Sequence, residues 1–253
     1  MSWQANNLDK NKHCFFGSSG GFSKGKYKEL NANTKSYDDK ECLMKNLQAI
    51  ANKVGLDKEN LILLNQGVSN VAVYVDEASW DSVVADGTVT RKKGIGLCIR
   101  TADCAPVLFE DRINGVIGAA HAGWRGAFKG IMENVIALMI ENGAELKNIK
   151  AAIGPCVMQK SYEVDTNFYN QFLEQHQNNK QYFIDGKKEG YFYFDLPNYC
   201  LDRLKKAGIE NIEVAYLDTY ALEDEYFSFR RFTHQGVVSE PKDFPNQVSV
   251  ITL

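Results

Sequence analysis

The stretch that most restricts the fold runs from Gly96 to Gly126, GLCIRTADCAPVLFEDRINGVIGAAHAGWRG. The apolar runs at its two ends, Ile95–Ile99 and Val116–Ala120, are too short for core helices and are followed by residues that break regular structure. Read as strands, the first leads through Arg100-Thr101-Ala102-Asp103 to Cys104, with Pro106 just beyond. The second delivers His121 into Ala122-Gly123-Trp124-Arg125-Gly126. A sheet fixes position and a loop gives access, so a thiol and an imidazole at strand ends are well placed for chemistry. The two residues are too far apart along the chain for a local CxxC or HExxH ligand pair. Neighbouring strands must bring them together.

The rest of the chain is that of an ordinary soluble globular protein: 253 residues, 44% hydrophobic and 24% charged. No Ser/Pro/Gly linker interrupts it and it has five prolines, which predicts one domain over 1–253. A net charge of −3 advertises no basic surface, so neither nucleic acid nor a membrane is expected as partner. The polar start, Met1 to Asn7, lacks the layout of a signal peptide, and no apolar run approaches the ~20 residues that span a bilayer. The expectation is a cytoplasmic protein, monomer or homodimer. Its six cysteines show no tight pairing and are expected as thiols.

Along the chain, Cys14-Phe15-Phe16 reads as a strand ending in Gly17-Ser18-Ser19-Gly20-Gly21, a loop that can turn N–H groups toward an anion but lacks P-loop spacing. A helix is predicted over 39–54, capped by Asp38 or Asp39 and ended by Gly55; Leu61–Leu64 and Val71–Val75 read as strands. After Trp124 one long apolar helix is predicted over 127–142. Then follow a strand at Ile149–Ile153, a helix over 165–175, a mobile polar excursion at 177–188 and a strand at Tyr191–Phe194. A helix capped by Asp195 carries Pro197 in its first turn and closes at Gly208. Strands at Ile212–Leu217, around Phe227–Arg231 and at Val248–Leu253 complete an α+β chain with mixed sheets.

Cys104 and His121 admit two chemical readings. Thiolate and imidazole are favoured ligands of zinc and copper, and a catalytic zinc uses three protein ligands plus water. Alternatively, His121 activates Cys104 as a nucleophile. A buried cysteine beside a hydrogen-bonded structural histidine is the bland alternative, but TADCAP and HAGWRG are too polar and Gly-rich for plain core. Arg125, just before a helix start, suits a phosphate or carboxylate, or a surface ion pair. Arg230-Arg231 reads as a second anion clamp or a solvated strand end. Trp124 either stacks on a planar base or wedges the helix against the sheet, and Cys156 packs structurally.

Taken together, TADCAPVLFED, GAAHAGWRGAFKGI, AAIGPCV, YEV and FSFRR resemble the laccase-domain family, also described as multicopper polyphenol oxidases, peptidoglycan-editing factors and purine nucleoside phosphorylases. The resemblance covers most of the chain, from Phe15-Phe16 to Arg231. It implies a single-domain layered α/β/β/α fold, shared with bacterial cysteine-deamidase toxins. It also implies phosphorolysis of adenosine, inosine and methylthioadenosine, with adenosine deamination, at a zinc or copper site that includes Cys104 and His121. Purine nucleoside and phosphate would then be bound by Gln66, Trp124, Arg125 and Arg230. Two positions depart from the pattern: Val68 stands where a third metal-ligand histidine is expected, and Ser18 where an arginine is. These departures imply an impaired metal site and keep open a cysteine-dependent amide hydrolase acting on a peptidoglycan precursor, or a nucleoside-binding homologue without turnover. Four histidines in all are too few for a true multi-copper oxidase.

Overall fold

The computed structural model describes residues 2–238, 240 and 242–253. Strands Gly96–Thr101, Ala105–Asp111 and Val116–Ala122 are buried along their whole length, as strands covered on both faces must be. They belong to two six-stranded sheets. One runs in the order Ser2–Trp3, His13–Phe16, Gln247–Thr252, Gly96–Thr101, Leu61–Asn65, Trp80–Val84. The other runs Asn211–Val214, Lys150–Ile153, Ala105–Asp111, Val116–Ala122, Gly87–Thr90, Ala72–Tyr74. Both are mixed: Gly96–Thr101, for example, pairs parallel with Leu61–Asn65 and antiparallel with Gln247–Thr252.

Alternation along each strand sends one set of side chains between the sheets and the other toward helices. Phe15, Ile62, Leu97 and Ile99 of the first sheet meet Leu108, Ile117, Ala119 and Ala152 of the second. Outside the first sheet, helix Lys40–Lys53 lays Leu47 and Ile50 on Leu61, Leu63 and Cys98. Outside the second, helices Ile131–Glu141 and Leu196–Lys206 lay Val135, Met139 and Leu204 on Val89, Phe109 and Ala151. The result is the expected α/β/β/α layering. Asp39 and Asp195 cap their helices as the sequence predicts, accepting from Cys42 N–H at 2.9 Å and Asn198 N–H at 3.2 Å.

Three segments differ from expectation. The long helix is two helices, Trp124–Lys129 and Ile131–Glu141, broken at Gly130, whose φ of 88° is open chiefly to glycine. Apolar periodicity continues across the break and so conceals it. Phe227–Arg231 is no strand end: the Ser228 hydroxyl accepts from Arg231 N–H at 3.1 Å and starts helix Phe229–His234. The 177–188 excursion is ordered as a 3-10 helix, Gln177–Tyr182, and a strand, Phe183–Asp185, because Asn179 and Tyr182 turn into the core. In the glycine-rich loop, Gly20 N–H donates to the Glu29 carboxylate at 2.7 Å, so an internal anion already takes that donor.

Candidate functional site

The antiparallel register Ala105↔Ala122 and Pro106↔His121 puts Cys104, one step further, beside Gly123. A Cβ at Gly123 would stand 2.9 Å from Cys104 Sγ and 3.8 Å from His121 Nε2, so sulfur, imidazole and glycine form one tight group. Thus the two strands bring together the two residues that the sequence singles out.

A third member comes from the neighbouring strand. Gly87 pairs with Ala120, which lays Asp86 alongside His121. The His121 N–H donates to the Asp86 carbonyl at 2.7 Å, and His121 Nδ1 donates to Asp86 Oδ1 at 2.8 Å. The same carboxylate gathers the backbone N–H groups of Gly67 (3.2 Å), Val68 (3.1 Å) and Ser69 (2.6 Å), and the Ser69 hydroxyl (2.7 Å). Burial works against the Asp86 carboxylate, but the hydrogen bond and charge of His121 and the Ser69 donors hold its pKa at about 2. Burial likewise opposes the imidazolium, yet the Cys104 sulfur and Asp86 lift His121 to about 10. His121 is therefore a buried cation at neutral pH, locked at Nδ1 and facing the sulfur with Nε2.

Asp86 is not among the residues that the sequence singles out. Its one signal is an acidic residue between the apolar Val83-Val84-Ala85 and Gly87, and the 35 residues to His121 offer no spacing rule.

Cys104 and His121 line a cavity of about 440 Å³, together with Gln66, Val68, Phe229 and Phe244. Gln66 is held in the wall by the neighbouring strand: its Nε2 donates to Arg100 O at 2.8 Å and its Oε1 accepts from Arg100 N–H at 2.9 Å, leaving one N–H and one lone pair. Val68 has a left-handed backbone, φ 61°, which is unusual for a β-branched residue. Lys35 and Lys242 add positive charge to the wall.

Trp124, Arg125 and Arg230 lie outside this cavity's lining. Trp124 packs on Phe168 and Phe172 of helix Thr166–Gln175, with ring centroids at 4.6 and 6.3 Å, and the Arg125 guanidinium lies 4.3 Å over its ring. The helix it begins has six residues, so little helix dipole reaches an anion there. Arg230 donates its N–H to Asp103 Oδ2 at 2.7 Å and a guanidinium N–H to Glu163 O at 2.8 Å, lying 4.9 Å over the Tyr162 ring. Burial and the Cys104 sulfur push the Tyr162 phenol up, and the positive charges of Arg230 and Arg125 oppose them. Among the described residues neither guanidinium has an ion pair. Arg231, by contrast, is buried and spends its guanidinium on the carbonyls of Thr219, Tyr220 and Tyr226.

The donors fit a three-ligand zinc or copper site poorly. Cys104 and His121 supply two, the isopropyl group of Val68 has no lone pair, and among the described residues no three His, Cys, Asp or Glu side chains converge to hold a metal. The other histidines are engaged elsewhere: His13 with Ala5 and Asp9, His176 with Asn178, His234 with Tyr220. All six cysteines are free thiols, and burial pushes Cys156 far up, as suits a packing residue.

The family described as multi-copper polyphenol oxidoreductase laccase matches residues 12–239. The chain belongs to that family. Among its laccase-like relatives is purine nucleoside phosphorylase RP494 of Rickettsia prowazekii, 40% identical over 195 residues, which span 77% of this chain and 80% of that one. The purine nucleoside phosphorylase of Deinococcus radiodurans is 33% identical over 221 residues, covering 87% and 83%. Neisseria meningitidis protein NMB0706 superposes with a TM-score of 0.86 at 29% identity, covering 100% of this chain and 98% of the other. Among the described residues no helix is long and apolar enough to cross a membrane.

Proposed function

We propose that this laccase-like chain is a cytoplasmic purine nucleoside phosphorylase, cleaving adenosine, inosine and methylthioadenosine with phosphate. The observation that carries the reading is the line Asp86–His121–Cys104 in the wall of a 440 Å³ cavity, a size suited to a small organic ligand. In phosphorolysis a phosphate oxygen bonds to ribose C1′ while the bond from C1′ to the purine nitrogen breaks. The electron pair leaves with the base, which takes up a proton. His121, charged and held by Asp86, supplies that proton from the buried side. Arg125 and Arg230, neither tied up in an ion pair among the described residues, hold the phosphate as guanidinium groups suit. Orientation and charge stabilisation then account for the rate. Purified protein given inosine and phosphate is expected to release hypoxanthine; no release, with or without added zinc or copper, rejects the reading. Adenosine in the same assay separates phosphorolysis, which yields adenine, from deamination, which yields inosine.

Val68 lies in the wall with Cys104 and His121, where the resemblance places a third ligand. Val68→His is expected to raise zinc or copper, measured by elemental analysis, from well below one to about one per chain, the complement of a three-ligand site. Its left-handed backbone accepts histidine more readily than a β-branched residue. An unchanged metal content would remove Val68 from the ligand position.

A second reading, a cysteine-dependent amide hydrolase acting on a peptidoglycan precursor, is favoured by one observation: Cys104 and His121 sit side by side in the cavity wall, the pairing by which an imidazole activates a thiol. Alkylation decides it, since a hydrolase nucleophile at Cys104 must react far faster than the five other thiols.

A further inference from the structure

We infer that the purine lies on Phe229 and is read at its edge by Asn246, on the cavity side of Cys104 and away from Trp124. This inference rests on the nucleoside reading above. Trp124 is already covered by Arg125 and Phe168, so it offers no open platform. Phe229 does: it lines the cavity that holds Cys104 and His121, and it is 38% exposed. Phe244 backs it, with ring centroids 4.7 Å apart and planes tilted by 55°.

The platform is tied to the reacting centre. Phe229 opens helix Phe229–His234, and the next residue's N–H is bound at 2.7 Å by the carboxylate of Asp103, the neighbour of Cys104. The Thr219 hydroxyl donates to the same carboxylate at 2.8 Å. One buried aspartate therefore sets the spacing between the aromatic face and the sulfur.

Asn246 lines the same cavity, two residues beyond Phe244. Its backbone is engaged with Asn31 and Ala32, but among the described residues its side-chain amide has no hydrogen-bond partner. An amide has one donor face and one acceptor face and can turn either way. It can therefore pair with the amino group and ring nitrogen of a 6-aminopurine, or turn and donate to the oxygen of a 6-oxopurine. Such a reader accepts both adenosine and inosine.

The test is equilibrium binding of inosine and adenosine by calorimetry, beside steady-state kinetics. Phe229→Ala is expected to weaken both nucleosides by about tenfold or more, as loss of an aromatic stacking partner does, with KM for phosphate unchanged and Phe229→Tyr restoring affinity. Asn246→Asp leaves only acceptors, so it is expected to shift the adenosine-to-inosine preference toward adenosine by about tenfold. That ratio is read within one folded protein. Wild-type protein that binds neither nucleoside rejects the function itself. Wild-type binding with no change in either variant overturns the base platform and leaves the function standing.

Discussion

Asp86→Asn is expected to lower kcat by a factor on the order of 10²–10⁴ while leaving the nucleoside KM nearly unchanged. The variant keeps the size of the side chain and removes its charge. The buried imidazolium of His121 then loses the partner bonded to Nδ1 at 2.8 Å, and an amide NH₂ can face that N–H instead of an acceptor. The ring is free to turn, and Nε2 no longer faces Cys104. Breaking a buried charge pair on one side costs about 3–5 kcal/mol, because the remaining charge is left uncompensated. The loop 67–69 also loses part of the acceptor that three backbone N–H groups and the Ser69 hydroxyl share. Steady-state kinetics and a denaturant titration check the two halves separately. A variant with wild-type kcat would show that the orientation of His121 does not matter to the reaction.

Gly123→Ala should abolish most activity for a different reason. Gly123 has φ −64° and ψ 162°, which alanine adopts without strain, so the substitution isolates the effect of one methyl group. That methyl would stand 2.9 Å from Cys104 Sγ, well inside contact distance. The sulfur must move, or the Gly123 backbone must, and either shift separates it from His121. Overpacking of this kind costs about 1–3 kcal/mol, and a misplacement near 1 Å is worth roughly 10²-fold in rate. Alkylation of Cys104 by a bulky reagent should slow in parallel. Unaltered turnover and alkylation together would mean that the thiol face at Gly123 is not the one that reacts.

The α+β class with mixed sheets, and the meeting of Cys104 with His121, are legible in the residues themselves, whereas the α/β/β/α layering follows from the family resemblance. Short apolar runs with polar ends specify strands, and an intervening strand leaves antiparallel neighbours as the simple way to join the two side chains. What is not legible depends on contacts distant in sequence or on single dihedral angles. Gly130 breaks a helix whose apolar pattern runs on, because left-handed backbone leaves no mark on periodicity. Ser228 turns an apparent strand end into a helix by capping it, and FSFRR alternates well enough to suggest the opposite. The packing of Trp124 on Phe168 and the bonding of Gln66 to the Arg100 backbone likewise join residues distant in sequence. Asp86 reaches His121 across a strand pair with little trace in the sequence, since Gly87–Thr90 is short and fully buried.

The carboxylate at 86 grips residues 67–69 chiefly by main-chain hydrogen, and the only side chain involved is that of Ser69. The shape of that loop is thus independent of what residue 68 displays. Such an arrangement lets inheritance alter the chemistry at one wall while its mounting is preserved. A new side chain at 68 would then meet one restriction above all, the left-handed backbone at that residue, and would not have to rebuild the mounting beneath it.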